Sequence, residues 1–241
     1  MTAGRSWRLR YRPSASSWVE CAVSEATGID FEHCLQVRER HAFRGARNKR
    51  GWYYFATTGD LKWCESRWEM RVLRVLDHDP EVVGVGVQPF TLSYRDRKGS
   101  GSHTPDAFVR RSDGGGVVVD ARPEPLTHTD AFRRQREATE AACREAGWTY
   151  WVASGFDPVF ESNIEWLAAY RHALVDPVGC AGALLDACGE AQPIGALVSA
   201  FPPAALCRPV VGHLLWRNRL SADLSVALSD RSPVTARSDA R

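Results

Sequence analysis

No apolar run among the 241 residues approaches the roughly 18 that a bilayer crossing requires, and the opening Met1-Thr2-Ala3-Gly4-Arg5-Ser6-Trp7 has no apolar h-region behind it. Neither a membrane span nor a secretory leader is expected, and a cytoplasmic location is the default. There is no C-x-x-C pair. Cys21, Cys34, Cys64, Cys143, Cys180, Cys188 and Cys207 are odd in number and widely scattered, which argues against a disulfide framework or zinc knuckle and for reduced thiols. An excess of one charge is also missing: 31 basic against 29 acidic side chains leave a formal +2. Any nucleic-acid surface must then be local rather than protein-wide. Internal repeats and long low-complexity tracts are absent as well.

Several catalytic signatures are lacking: G-x-x-x-x-G-K-[ST], G-x-S-x-G and H-E-x-x-H do not occur. Gly84-x-Gly86 has no third glycine and opens no helix, so it is not a dinucleotide fingerprint. The histidines, at 33, 41, 78, 103, 128, 172 and 213, show no ligand spacing. His103 reads as a lone surface residue.

What is present is ordinary globular material, 44% hydrophobic and 25% charged. That length suits one substantial domain and a smaller one, at about 100 to 200 residues per domain. Arg38, Arg40, His41, Arg44, Arg47, Lys49 and Arg50 form a dense cluster opposed only by Glu39. It reads either as a phosphate-binding arm or as a solvated loop. Trp52-Tyr53-Tyr54-Phe55 leads to an amphipathic helix expected from about Leu61 to Leu76, capped by Thr58 or Asp60, with Trp68, Val72, Val75 and Leu76 on its apolar stripe. Glu65 and Glu69 share a face beside that stripe. A helical Glu is ordinarily a solvated side chain, but at that edge it can also point into a cleft.

Asp79-Pro80 ends the helix. Three strands follow: 82–94, bent or broken at its glycines and proline, then Asp106–Val109, then Val117–Asp120, with 95–101 and 113–116 as turns. A helix from about Asp130 to Ala146, stopped by Gly147, returns the chain to a fourth strand, Trp148–Ala153. The order of helix, three-strand meander, helix and strand is an α/β layer arrangement. A short helix near 163–170 closes this domain, Asp176-Pro177-Val178-Gly179 is a linker, and residues 180–241 offer short helices and a hairpin in the manner of a winged helix. The expected division is an N-terminal extension over 1–58, a central domain over 59–175 and a C-terminal module over 180–241.

The chemistry lies in Thr104-Pro105-Asp106 and Val117-Val118-Val119-Asp120-Ala121-Arg122. Phosphodiester hydrolysis needs an activated in-line water and neutralised phosphate charge, which carboxylate-held divalent ions supply. Asp106 and Asp120, on neighbouring strands, can reach one ion. Asp120 interrupts an apolar run, and a carboxylate facing a core needs a cation beside it. The plain alternative is a strand-end Asp meeting solvent.

Glu65-Ser66-Arg67-Trp68-Glu69, Asp79-Pro80-Glu81-Val82-Val83, Gln88-Pro89, Thr104-Pro105-Asp106 and Val118-Val119-Asp120-Ala121-Arg122-Pro123, in that order, resemble TnsA-like heteromeric transposase endonuclease subunits, particularly their actinobacterial branch. The resemblance extends upstream to Arg44 and downstream through 163–171 and 214–217. It implies a PD-(D/E)xK restriction-endonuclease-like fold in which Glu69, Asp106 and Asp120 bind magnesium or manganese, with the Ala121 carbonyl as a further ligand. It also implies cutting at transposon ends beside a DDE transposase and an AAA+ ATPase regulator. Arg122 stands where that family has lysine; it keeps the charge but cannot become a neutral base. On this reading Arg122 orients water or phosphate, and Arg38, Arg40, Arg44, Arg47, Lys49 and Arg50 track the DNA backbone. A stand-alone defence nuclease and a catalytically decayed DNA- or partner-binding subunit are the alternatives.

Overall fold

The computed structural model describes residues 7–38, 50–96 and 99–237 of a mixed α/β protein. The chain divides into two compact units, one comprising Met1–Leu73 and Glu81–Gly155, the other Arg74–Pro80 and Phe156–Arg241.

Among the described residues, the first unit contains two four-stranded sheets and a two-stranded ribbon. In the first sheet β1 (Arg8–Ser14) pairs antiparallel with β2 (Ser17–Ala22) and, on its other side, with a strand at Phe90–Asp96. Of the expected N-terminal extension over 1–58, the stretch 8–33 is therefore part of the folded unit: Leu9 lies opposite Leu92, and Leu9, Val23 and Phe31 are buried in the unit's core. Phe31 is its hub, with the rings of Tyr11, Phe90, Phe108 and Trp148 at 4.8 to 5.6 Å. Such edge-on contacts add to the area they bury.

The ribbon is β3 (Gly51–Phe55) with β4 (Asp60–Cys64). The expected helix over 61–76 thus begins late, as α1 (Arg67–His78). The cross-strand contact of Trp63 with Trp52 pairs this segment with β3, Thr58 bonds Asp60 instead of capping a helix, and Ser66 accepts from the Glu69 N–H at 3.1 Å to start one. Beyond α1 the expected strand 82–94 is two: β5 (Val82–Val87) and β6 (Phe90–Asp96), which lie in different sheets. The break falls at Gln88, whose φ of 46° turns the chain before Pro89.

The turn expected over 95–101 is in part a strand, β7 (Gly99–His103), paired with β6. Then β8 (Ala107–Arg111) and β9 (Gly116–Ala121) complete an antiparallel meander with β5. From Thr129, which accepts from the Phe132 N–H, α2 (Asp130–Ala146) runs to Gly147 at φ 73°, and β10 (Thr149–Ala153) returns parallel to β9. The resulting sheet order is β10-β9-β8-β5, as the meander and crossover helix predicted. Gly86 on β5 makes this packing possible: a Cβ there would stand 2.3 Å from the Phe31 carbonyl oxygen.

The second unit holds α3 (Pro158–Leu167), α4 (Ala181–Ala187), β11 (Gln192–Pro193), α5 (Ile194–Ala200), α6 (Ala204–Trp216), β12 (Leu220–Ser221) and β13 (Pro233–Ala236). Its sheet runs β11-β13-β12. The division expected at 175–180 falls instead after Gly155, because Ile164 and Leu167 of α3 are buried in one core with Leu184, Leu197, Val211 and Leu215. Asn163 ties α3 to the 222–232 loop, donating to the carbonyls of Leu224 and Val226 and accepting from the Leu228 N–H. Among the described residues no helix is long and apolar enough to cross a membrane, and all seven cysteines are free.

Candidate active site

Asp106 sits where the chain leaves β7 in one sheet for β8 in the other. Pro105, which has no N–H to give, falls on this crossing, so no ladder bond is lost. The Asp106 backbone is fixed from both sides, its N–H donating to the Val119 carbonyl and its own carbonyl accepting from Gln88, each at 3.0 Å. The carboxylate accepts from the Ala121 N–H at 2.7 Å.

Asp120, on β9, is only 2% exposed. A carboxylate at that depth needs donors, and three side chains from three elements supply them. His103 Nε2 at the end of β7 lies 2.8 and 3.0 Å from its two oxygens, the Tyr150 hydroxyl of β10 donates to Oδ2, and Gln135 Nε2 of α2 stands 3.5 Å from the same oxygen. His103, expected at the surface, is instead packed against Asp120 with its side chain only 9% exposed. An ionised carboxylate only accepts, so the Nε2 facing it carries the hydrogen.

Glu69 lies in the first turn of α1. Its Oε2 accepts from the Glu65 N–H at 2.8 Å and its Oε1 from the Ser66 hydroxyl at 2.9 Å. Ser66-Arg67-Trp68-Glu69 has the spacing of a helix-start capping motif, so this acid has a local structural task as well as a position on the site.

These residues face one cavity of about 590 Å³, lined among others by Arg38, Glu69, His103, Asp106, Asp120 and Arg122. Ala121 and Gln135 also line it. Burial, then the charges of Asp120 and Glu69, push the Asp106 carboxyl well above the usual range, against the opposing pull of the Ala121 N–H and Arg38. Burial likewise raises Glu69, with Glu65 adding to the effect. A third acid brought close to two others favours a proton or a cation in the space between them. Among the described residues, however, no group of three or more His, Cys, Asp or Glu side chains is arranged to hold a metal ion. Glu69 is turned to its helix start and Asp120 to His103 and Tyr150.

Arg122 follows β9 with its guanidinium 4.9 Å from the Phe132 ring. Its Nε is buried and has no hydrogen-bond partner among the described residues. Arg38 is a wall of the cavity, donating to Glu65 at 2.9 Å and reaching the Thr104 carbonyl at 3.5 Å. Arg50 is exposed beside β3. Arg40, Arg44, Arg47 and Lys49, named as DNA contacts, lie outside the described residues.

The sequence reading missed His103, Gln135 and Tyr150 as site residues. Gln135 carried a signal, being a polar residue on the face of α2 that otherwise buries Phe132, Thr139 and Cys143. His103 had only its place beside Thr104-Pro105-Asp106, and Tyr150 had none. Compared with known proteins, the chain matches no family model and no curated protein.

Proposed function

We propose that this chain is a divalent-metal-dependent DNA endonuclease subunit of a heteromeric transposase, acting at transposon ends. The observation that carries the reading is that Glu69, Asp106 and Asp120, distant in sequence, line one cavity in which two of them raise the carboxyl of the third. The element order around it, α1, the β5-β8-β9 meander, α2 and the parallel β10, agrees with the PD-(D/E)xK core that the resemblance implies.

The donor set fits a hard dication in charge and in atom type. Asp106 is the first candidate ligand, with Glu69, Asp120 and the Ala121 carbonyl completing the set; magnesium or manganese bound there would polarise the phosphate and lower the pKa of a bound water. The protein's own parts are distinct. The Arg122 guanidinium, in the wall of the cavity, supplies the positive charge that would pair with a phosphate oxygen there. Burial on the sheet keeps Asp120 fixed in direction through its three donors, and Arg38 adds positive charge at the rim. In the second unit, α4, β11, α5, α6 and the β12–β13 hairpin follow one another as in a winged helix. Arg208 on α6 is taken up by Asp230 at 2.6 and 3.1 Å, which favours contact with a partner, the DDE transposase or the AAA+ ATPase, over groove reading.

Purified protein, with its transposase present, is expected to nick end-containing DNA in magnesium. Asp106→Ala abolishes nicking while circular dichroism and thermal melting report a folded chain. Nicking that survives this substitution removes the proposed site. A second reading, a DNA-holding subunit without catalysis, is favoured by the commitment of Glu69 to its helix start and by Arg122 in place of lysine. It predicts no magnesium-dependent heat in calorimetry.

A further inference from the structure

The face of the first sheet turned away from the core has no part in the chemistry above. Along β1 and β6, Leu9, Phe90, Leu92 and Tyr94 are buried in the core. Side chains alternate along a strand, so Arg8, Arg10, Arg12, Thr91, Ser93 and Arg95 share the opposite face. Arg8, Arg10, Ser93 and Arg95 are exposed there, as is Trp18 of β2. Among the described residues the outward face of these four strands carries one acid, Glu20, and it is paired with Arg8. Arg10, Arg12 and Arg95 form no ion pair among the described residues.

Two of these cations are held in place. The Arg10 and Arg12 guanidinium carbons lie over the Trp18 ring, 4.3 and 5.1 Å from its centroid, and Arg12 also donates to the Ala15 carbonyl at 3.1 Å. A guanidinium resting on an indole keeps N–H groups at its edge for an anion and has lost much of its rotamer freedom before one arrives. Arg10 stands opposite Thr91, so Arg12 lies two residues to one side of that pair and Arg95 four to the other, about 20 Å in all at the rise of a strand. One strand of duplex DNA sets roughly six phosphates over that length. The row through Arg10 also leads to the acidic cavity: Thr91 Oγ1 is 3.0 Å from Thr104 Oγ1, and Thr104 lines that cavity. Arg10 is thus about two strand spacings, roughly 10 Å, from its wall.

We infer that this face is a docking surface for the sugar–phosphate backbone of duplex DNA, with Arg10, Arg12 and Arg95 on phosphates that flank the one entering the acidic cavity. The exposed hydroxyls of Ser93 and Ser102, paired across β6 and β7, stand among the cations as further phosphate donors. A protein partner would call for an apolar centre to the patch. Trp18 is the one large hydrophobic side chain exposed on these four strands among the described residues, and it is already taken up by the two arginines. The inference rests on the nuclease reading for its substrate class and deepens it by naming the surface that aligns the duplex.

The test is binding of a fluorescein-labelled duplex to the full chain in EDTA, read by anisotropy over a series of salt concentrations. Without divalent metal, binding is measured apart from cleavage. Arg10→Gln and Arg95→Gln are each expected to weaken binding evenly across sequences and to reduce the slope of log affinity against log salt by about 0.9, the double variant by about twice that. Arg10→Lys, which keeps the charge, retains the parent slope. Trp18→Ala, which releases the two guanidinium groups, weakens binding at a slope near the parent's. Circular dichroism and thermal melting check that each variant is folded. A double variant with the affinity and slope of the parent overturns the surface, even where the protein cleaves DNA. So does a parent that binds polyglutamate and not the duplex. A reduced slope in the double variant with no cleavage under any divalent metal upholds the surface and removes the nuclease reading instead.

Discussion

Asp106 and Asp120 stand in one cavity with opposite provisions: Asp120 accepts from three side chains, whereas Asp106 has one backbone donor and two acidic neighbours. Because the folded chain raises the Asp106 carboxyl above its ordinary value, folding takes up a proton there. The stability this group lends is complete below about pH 4, the ordinary Asp range, and is lost as pH rises through the raised value. Asp106→Asn keeps the shape and removes the charge. It is expected to melt above the parent at neutral and alkaline pH, with the difference vanishing below about pH 4; melting curves that stay equal across that window contradict the proximity of the three acids. His103 acts in the other direction. His103→Leu strips Asp120 of a donor and should lower stability by about 1–3 kcal/mol in urea titration, and His103→Gln, which can still donate, by less. A midpoint unmoved in His103→Leu would mean that Asp120 does not depend on the imidazole.

At the scale of elements, the site is assembled by the crossing between two sheets. Gln88, at φ 46°, moves the chain from β5 to β6, and the segment 104–106 moves it back from β7 to β8. The close approach that locks these layers is Gly86 under the Phe31 carbonyl. Gly86→Ala forces backbone apart in a packed interior and is expected to cost about 1–3 kcal/mol, seen as a lower urea midpoint with cooperative unfolding retained. An unchanged midpoint would show that β5 and the 31–33 turn are less tightly apposed. The ends of α2 were legible because they are chemical: Thr129 caps its start, and Gly147 at φ 73° its end. The start of α1 was misplaced because Ser66 sits behind an aromatic strand whose pairing partner, β3, had to be known first. The strand β7 was read as a turn because Gly99, Ser100, Gly101 and Ser102 have low β propensity; their pairing with β6 outweighs it.

At the scale of the molecule, the near balance of charge means that the DNA attraction which the proposed function requires would have to rest on local cations. Arg47→Ala in the basic segment is expected to weaken binding evenly across sequences and to reduce the salt slope by about one counterion. An unchanged slope in a filter-binding or anisotropy series would exclude Arg47 from phosphate contact. Whereas the hairpin expected over 224–234 is instead mostly the loop between β12 and β13, the sequence by itself determined the hairpin of β8 and β9 beside its two acids, the crossover helix between β9 and β10, and the short helices toward the C-terminus. Each of these is written in local periodicity, caps and turns, over spans of a few residues. Only the tertiary structure decided that residues 8–22 belong to the core, that the second unit begins after Gly155, and that His103, Gln135 and Tyr150 converge on Asp120. Burial of a charge is settled by whichever donors the folded layers bring to it, and no local pattern in this chain links β7, α2 and β10 before they meet.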